Sequence, residues 1–238
     1  MAGMTDKAID QLLLATAVFR EVPAREIEGL IRVTRTAEYR SREFLFMEGD
    51  PSLWLYIVRS GRVKILKHSR VGKDVVLELL RPGDLFGGVA VFERRPYPAT
   101  AQAMEPTEVL KIPSASLLAL SERYPSIVKE MALMIGRRLR AAHESIKSLA
   151  VEPVEPRLAA TLVRLADREG RASGAGVELP YHLTRQSLAD MAGTTVETTI
   201  RIVSRWIKKG LVSEEIGRLV LKRPEALRVM ATGEPEGP

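Results

Sequence analysis

The sequence contains no cysteine. That excludes disulfides, thiolate nucleophiles, zinc–cysteine sites and iron–sulfur clusters held by cysteine. Histidine is nearly as scarce: His68, His143 and His182 are the only three, widely spaced along the chain. A three-histidine metal site would need all of them to converge, so no metal ligands are assigned. No apolar run approaches the roughly 18 residues of a membrane helix, and no membrane partner is expected. The opening MAGMTDKAID lacks the basic region and apolar stretch of a secretory signal. The cytoplasm is the expected location.

What is present reads as an ordinary folded protein. The 238 residues are 45% hydrophobic and 28% charged, enough for one large or two modest domains. Lys and Arg number 36 against 30 Asp and Glu, a net +6 that permits nucleic-acid binding without proving it. From residue 151 onward the balance is only 13 basic to 12 acidic. A nucleic-acid function must therefore rest on local pattern.

Residues 8–33 carry a helical pattern interrupted at Pro23. From Thr34 to Ile112 short runs rich in β-branched and aromatic residues alternate with Gly, Pro and Asp, the texture of an all-β sandwich or barrel. A short helix is predicted over Ser114–Tyr124 and a long one from about Ser126 to Ala150. On the long helix Val128, Ala132, Ile135, Leu139, Ala142, Ile146 and Leu149 recur at alternating spacings of 4 and 3. That 3.5-residue period predicts a dimer seam, weighed against a helix lying on its own domain. Pro153 and Pro156 mark a break and a hinge candidate. Beyond them the pattern gives a helix over Arg157–Glu169, a loop at RASGAG, helices over Thr184–Gly193 and Thr195–Lys209, and a β-hairpin over Leu211–Leu221. The closing ATGEPEGP is expected to be disordered. The expected domains are a sensing β-roll with N-terminal helices (1–125), a dimerisation helix and hinge (126–152), a DNA-binding domain (153–232) and a tail (233–238).

The most informative stretch is LTRQSLADMAGTTVETTIRIVSRWIKKGLV. Leu188, Met191 and Ala192 supply an inner face. Ala189 is small where two helices would cross, and Gly193 suits a left-handed turn. Thr194 or Thr195 can cap the next helix, Glu197 pairing with Thr194 in a capping box. Ile202, Val203, Trp206 and Ile207 form the expected buried face; Val196, Glu197, Thr199, Ile200, Arg201, Arg205 and Lys208 lie opposite. This is the layout of a helix-turn-helix whose second helix enters a major groove. A carboxylate at Glu197 accepts from cytosine N4, and the Arg201 fork grips guanine O6 and N7. Arg205, Lys208 and Lys209 would reach phosphates. Thr184, Arg185, Gln186 and Thr195 complete the expected DNA contacts.

The segment resembles the winged helix-turn-helix of the CRP/FNR superfamily, and the likeness runs from about residue 12 to 225. GDPSLWLYIVRSGRVKI is similar to the family's β-roll signature, with Gly49, Asp50, Tyr56, Ile57, Val58, Gly61 and Val63 in place. RPGDLFGG followed by YPATAQA resembles its pocket segment, and PRLAATLVRLA the first helix of its DNA domain. The resemblance implies an α+β chain: a cupin-like β-roll (jelly roll), a long dimerisation helix and a C-terminal winged helix-turn-helix. It implies a homodimeric regulator that binds palindromic double-stranded DNA and works with RNA polymerase. Glu197 and Arg201 then read a G·C pair in the half-site core. Val196 replaces the arginine of cyclic-AMP receptors, as in the oxygen- and nitrogen-oxide-responsive branches, and Ile200 is placed to pack on a thymine methyl. Half-sites with TTG-type or TGA-type cores are expected.

The resemblance also bears on the effector. The expected pocket comprises Phe86, Gly87, Gly88, Tyr97, Pro98, Ala99, Thr100, Leu139, Ala142 and His143. Cyclic-nucleotide domains hold phosphate with a Gly-Glu segment and an Arg-Ser pair; here these positions fall on Gly88 and on Tyr97 and Pro98. Loss of such an arginine costs about 3–5 kcal/mol, roughly 100-fold or more in affinity, which cuts against cyclic AMP. Two alternatives stand beside control by the roll's intrinsic state: a cyclic-nucleotide-responsive regulator in which Arg94 or Arg95 serves the phosphate, and haem ligated by His143, implied by nitrogen-oxide-responsive relatives. An enzyme on a cupin-like roll is a remote one, because such enzymes gather several histidines and the β region holds only His68.

Overall fold

The computed structural model describes residues 11–68, 74–215 and 217–232, without the side chains of Asp74, Glu144, Ser145, Lys147, Ser148 and Leu149. The chain divides into two compact units after Arg140, inside a long helix.

The first unit is built on two antiparallel sheets of four strands each. One runs β1 (Arg35–Tyr39), β8 (Thr107–Pro113), β3 (Trp54–Ser60), β6 (Leu85–Phe86); the other runs β2 (Phe44–Phe46), β7 (Thr100–Ala103), β4 (Val63–His68), β5 (Asp74–Leu80). Strand β3 shows why they stack. Its side chains alternate with the period of 2 that any strand imposes. Tyr56 and Val58 enter the space between the sheets, whereas Leu55 and Ile57 enter a second core. The same split separates Val109 from Leu110 and Ile112 on β8. A strand buried on both faces reads as a continuous apolar run, which is how LYIV appears in the sequence. Between β3 and β4 the chain turns at Gly61, where φ is 76°. A Cβ there would stand 2.5 Å from the Pro106 carbonyl oxygen, so no other residue fits.

Helices close the second core: α1 (Ala24–Val33), α2 (Gly88–Glu93), α3 (Ser114–Arg123) and the first turns of α4 (Ser126–Val151). Ile127 and Met131 of α4 are buried there. Two turns further on, Arg138 donates to the Leu85 carbonyl oxygen at 2.6 Å and pairs with Glu78 at 2.9 Å. The heptad residues form a neighbouring stripe. Val128, Ala132, Ile135, Leu139, Ala142 and Ile146 are all exposed; the side chain of Leu149 lies outside the described residues. The helix thus lies on its own sheet through residues 127, 131, 134 and 138 and leaves the seam uncovered.

The second unit begins with α5 (Val154–Glu169). It starts three residues before the expected Arg157, because Pro156 falls in the first helical turn, where a missing N–H leaves no acceptor unpaired. Two expectations need correction. RASGAG is a hairpin, β9 (Arg171–Ser173) and β10 (Gly176–Glu178), that joins the predicted hairpin β11 (Val212–Glu215) and β12 (Arg218–Leu221) in one sheet, order β11-β12-β10-β9. Register on β12 holds it in strand form, since its own residues are poor strand formers. The second correction is α8 (Pro224–Thr232), which takes in the first residues of ATGEPEGP. Pro224 occupies a first-turn position, Leu227 is fully buried, and Arg228 grips Asp167 of α5 at 2.6 and 3.1 Å. Residues 233–238 lie outside the described residues.

The interior between the two sheets is aromatic. Phe46 stacks on Tyr97 at 3.8 Å between ring centroids, and Tyr56 on Phe86 at 5.1 Å. The Tyr97 hydroxyl donates to the Trp54 carbonyl oxygen at 2.6 Å and accepts from the Trp54 N–H at 3.2 Å. Burial pushes the hydroxyls of Tyr56 and Tyr97 above the usual phenol range. A raised folded value favours the protonated native form. The stabilisation is whole below the unfolded value of about 10 and is lost as pH rises toward the folded value. An alkaline absorbance titration of folded protein should therefore show Tyr56 and Tyr97 ionising only at higher pH than the same tyrosines in unfolded protein. Ionisation of all five tyrosines together at the ordinary phenol value, with the fold intact, would contradict the packing.

Candidate nucleic-acid interface

Two helices and the turn between them form the candidate site. Helix α6 (Arg185–Ala192) is capped by Thr184, whose hydroxyl accepts from the Ser187 N–H at 3.0 Å. It ends at Gly193, which adopts φ 61° and ψ 49°, a left-handed conformation suited to glycine. Helix α7 (Val196–Lys208) is capped by Thr195, whose hydroxyl accepts from the Thr198 N–H at 3.2 Å. The N-cap is Thr195, one of the two residues expected there. Leu188, Ala189 and Ala192 are buried, and Met191, expected with them, is half-buried.

Helix α7 buries Thr199, Ile202, Val203 and Trp206. This stripe runs i, i+3, i+4, i+7 and starts at Thr199. Two expectations change as a result. Thr199, expected on the outer face, has no exposed surface and donates its hydroxyl to the Thr195 carbonyl oxygen at 3.0 Å. Ile207, expected inside, is 39% exposed. The outer face carries Glu197, Ile200, Arg201 and Lys208, all exposed, with Val196 half-buried at its edge. Ser204 is exposed in line with them and was not among the sequence candidates. Its spacing from Glu197 (i+7) and Arg201 (i+3) was the available signal.

The flanking candidates are held by their own unit. Arg205 pairs with Glu155 at 2.5 Å rather than standing free for phosphate. The second Glu155 oxygen accepts from the Trp206 indole N–H at 2.9 Å. Arg185 pairs with Glu214 at 2.7 Å, and the Gln186 amide donates to Asp190 at 2.6 Å. His182, near the turn of the β11–β12 hairpin, has Nδ1 2.9 Å from the Gly217 carbonyl oxygen. Sequence reasoning also passed over Arg157, whose guanidinium reaches the turn between α6 and α7.

The expected effector residues are scattered in character. Phe86, Gly88, Tyr97, Ala99 and Thr100 are buried, Gly87 is half-buried and Pro98 is exposed. Leu139, Ala142 and His143 are exposed on α4. A depression of about 960 Å³ lies elsewhere on the first unit, lined by residues of 38–43, Ser60 and residues of 106–108. Among the described residues no group of three or more His, Asp or Glu side chains is placed to hold a metal ion.

The helix-turn-helix and the β-roll are each matched by a known family. Residues 156–230 match the Crp-like helix-turn-helix domain, and residues 36–124 the cyclic nucleotide-binding domain. An anaerobic regulatory protein of Aggregatibacter actinomycetemcomitans is 30% identical over 181 residues, covering 76% of this chain and 70% of that one. The chain belongs to the CRP/FNR family of transcription regulators. It is similar to other CRP/FNR proteins over nearly its whole length. The CRP-like cAMP-activated global transcriptional regulator of Mycobacterium tuberculosis (strain H37Rv) is 26% identical over 213 residues, 90% of this chain and 95% of that one. The structure of FixK2 from Bradyrhizobium japonicum shares the fold at a TM-score of 0.73 and 24% identity, covering 83% of this chain and 97% of that chain. A CRP/FNR regulator is not an enzyme, and the cupin-like enzyme alternative falls.

Membership raises the question of a cyclic nucleotide, and the residues of this β-roll do not fit its phosphate. Gly88, where the resemblance places the family's glutamate, offers no carboxylate, and a Cβ there would require the Met131 methyl (2.5 Å) and Leu55 Cδ1 (2.8 Å) to shift. Tyr97, at the position of the arginine, points its ring into the aromatic core. The nearby cations Arg94 and Arg95 are exposed at the end of α2.

The cap geometry gives a direct test. Replacing Thr195 with alanine removes the acceptor for an N-terminal N–H of α7 and should destabilise the second unit by about 1 kcal/mol. Denaturant unfolding followed through Trp206 fluorescence would measure it, and an unchanged midpoint would show that the cap contributes nothing.

Proposed function

We propose that the protein is a homodimer that binds a palindromic duplex by placing α7 of each copy in a major groove. The observation that carries this reading is the outer face of α7. Glu197, Ile200, Arg201, Ser204 and Lys208 are exposed together, while the opposite stripe is buried around Trp206. A face that mixes one carboxylate, one guanidinium and one exposed β-branched side chain matches what a groove presents: a cytosine amino group, guanine acceptors and a thymine methyl. Lys208, at the far end of the helix, serves a phosphate.

Pairing of copies is supported by α4. A soluble helix does not ordinarily expose Val128 (48%), Ile135 (39%), Leu139 (53%) and Ile146 (63%) in one heptad stripe unless another helix covers them. A twofold pair sets two recognition helices about 34 Å apart, one turn of DNA. The aromatic filling of the β-roll supports activity set by the intrinsic state of the roll rather than by cyclic AMP. RNA polymerase is the remaining partner of this reading.

Binding-site selection from a random duplex library tests the readout. Arg201→Ala should relax preference at one symmetric base pair and weaken binding by about 1–3 kcal/mol. Lys208→Ala should weaken all sequences alike and lower the salt slope by about one. Unchanged preference in Arg201→Ala would remove Arg201 from the readout. For pairing, Leu139→Glu should convert the dimer to monomer in analytical ultracentrifugation; a wild-type protein that sediments as a monomer would defeat the dimer reading outright.

A further inference from the structure

Arg157 is an unusual side chain in the second unit. Its guanidinium makes three hydrogen bonds, and all three go to backbone carbonyl oxygens. Nη1 donates to Glu152 at 2.7 Å, Nε to Ala192 at 3.0 Å, and Nη2 to Gly193 at 3.1 Å. These carbonyls share a chemical predicament. Glu152 directly follows the last residue of α4, Ala192 is the last residue of α6, and Gly193 is its cap. The final carbonyls of a helix have no partner within it, and they carry the negative end of its dipole. One planar cation with a fixed fork of donors satisfies both helix ends at once. The side chain is half-buried, so these bonds are shielded from full competition by water.

We infer that Arg157 is a positioning residue for DNA recognition: it keys the turn that launches α7 to the end of the dimerisation helix. The inference rests on the dimeric reading proposed above. The geometry it would control is specific. Gly193 begins the three-residue turn, and Thr195 caps α7 at its end. Fixing the carbonyls of Ala192 and Gly193 against Glu152 fixes where α7 starts relative to the last turn of α4. In a dimer joined through α4, that relation sets the distance between two recognition helices. A lone recognition helix needs no such relation to find one half-site. Arg157 should therefore matter for spacing and little for the half-site itself. Lysine offers a point charge on a flexible stem and cannot span three carbonyls in one plane, so Arg157→Lys should rescue charge without rescuing geometry.

The experiment uses full-length protein and the palindrome that wild type enriches from a random duplex library. Affinity is measured for that duplex, for versions with one base pair added or removed at the centre, for a single half-site and for unrelated DNA, together with thermal unfolding. The expected result for Arg157→Ala and Arg157→Lys is a roughly tenfold loss on the palindrome. Discrimination between the three spacings should fall, while half-site and unrelated-DNA binding change less than about twofold. Wild-type spacing discrimination in both variants would overturn the inference. So would losses on palindrome, half-site and unrelated DNA that are equal and track a lowered Tm, because that is the mark of a merely structural arginine. If Arg157→Ala does not fold, Arg157→Lys decides by the same criteria. Failure of wild-type protein to enrich any duplex would instead defeat the DNA-binding proposal, a result distinct from either.

Discussion

The anchoring of Trp206 is the constraint on which the recognition surface depends. Its indole has no exposed surface, and its single N–H is bonded to Glu155. A buried indole without that acceptor would leave a polar group unsatisfied in the core. Rotating α7 about its axis would break the bond and expose the largest apolar side chain of the unit. The helix is therefore fixed in phase, and the outward direction of Glu197, Ile200, Arg201 and Ser204 follows. The second oxygen of Glu155 holds Arg205, so one carboxylate orients a core residue and neutralises a flanking cation.

Phase is also where the sequence reading was weakest. The existence and order of the helices, the turn glycine and the hairpin were legible because each rests on a strong local signal: Gly193 in a left-handed turn, small Ala189 at the crossing, Gly217 in the hairpin. The inward side of α7 was legible through Ile202, Val203 and Trp206, but its edges were not. Thr199 and Ile207 look interchangeable to a polarity argument that sends the alcohol outward and the aliphatic inward. The structure reverses them because Thr199 satisfies its hydroxyl on the preceding turn, a local solution that lets a polar residue be buried. The strands at 171–178 were illegible for a different reason: they are made by pairing with β12, a long-range partner that no local window contains. Helix α8 was missed because its stability comes from Leu227 and the Arg228–Asp167 bridge, both tertiary.

The first unit shows the opposite balance. A strand buried on both faces announces itself as an apolar run, and the jelly-roll expectation needed little else. The contents of its interior were only half legible. Gly88 and Tyr97 could be placed from the motif, but not the stacking of Tyr97 on Phe46 or the double hydrogen bond to the backbone of Trp54. Those contacts fill the space between the two sheets with stacked rings.

Helix α4 carries two apolar stripes one residue out of step, one turned to its own sheet and one left bare. That arrangement limits how a gene encoding it can vary. Losing a single codon from the middle of the helix turns everything downstream by about 100°, sending charged positions such as Arg140 onto the bare side. Losing or gaining seven codons nearly restores the angle. Length variation along this segment in related genes should thus come in whole heptads, even where individual side chains have drifted freely.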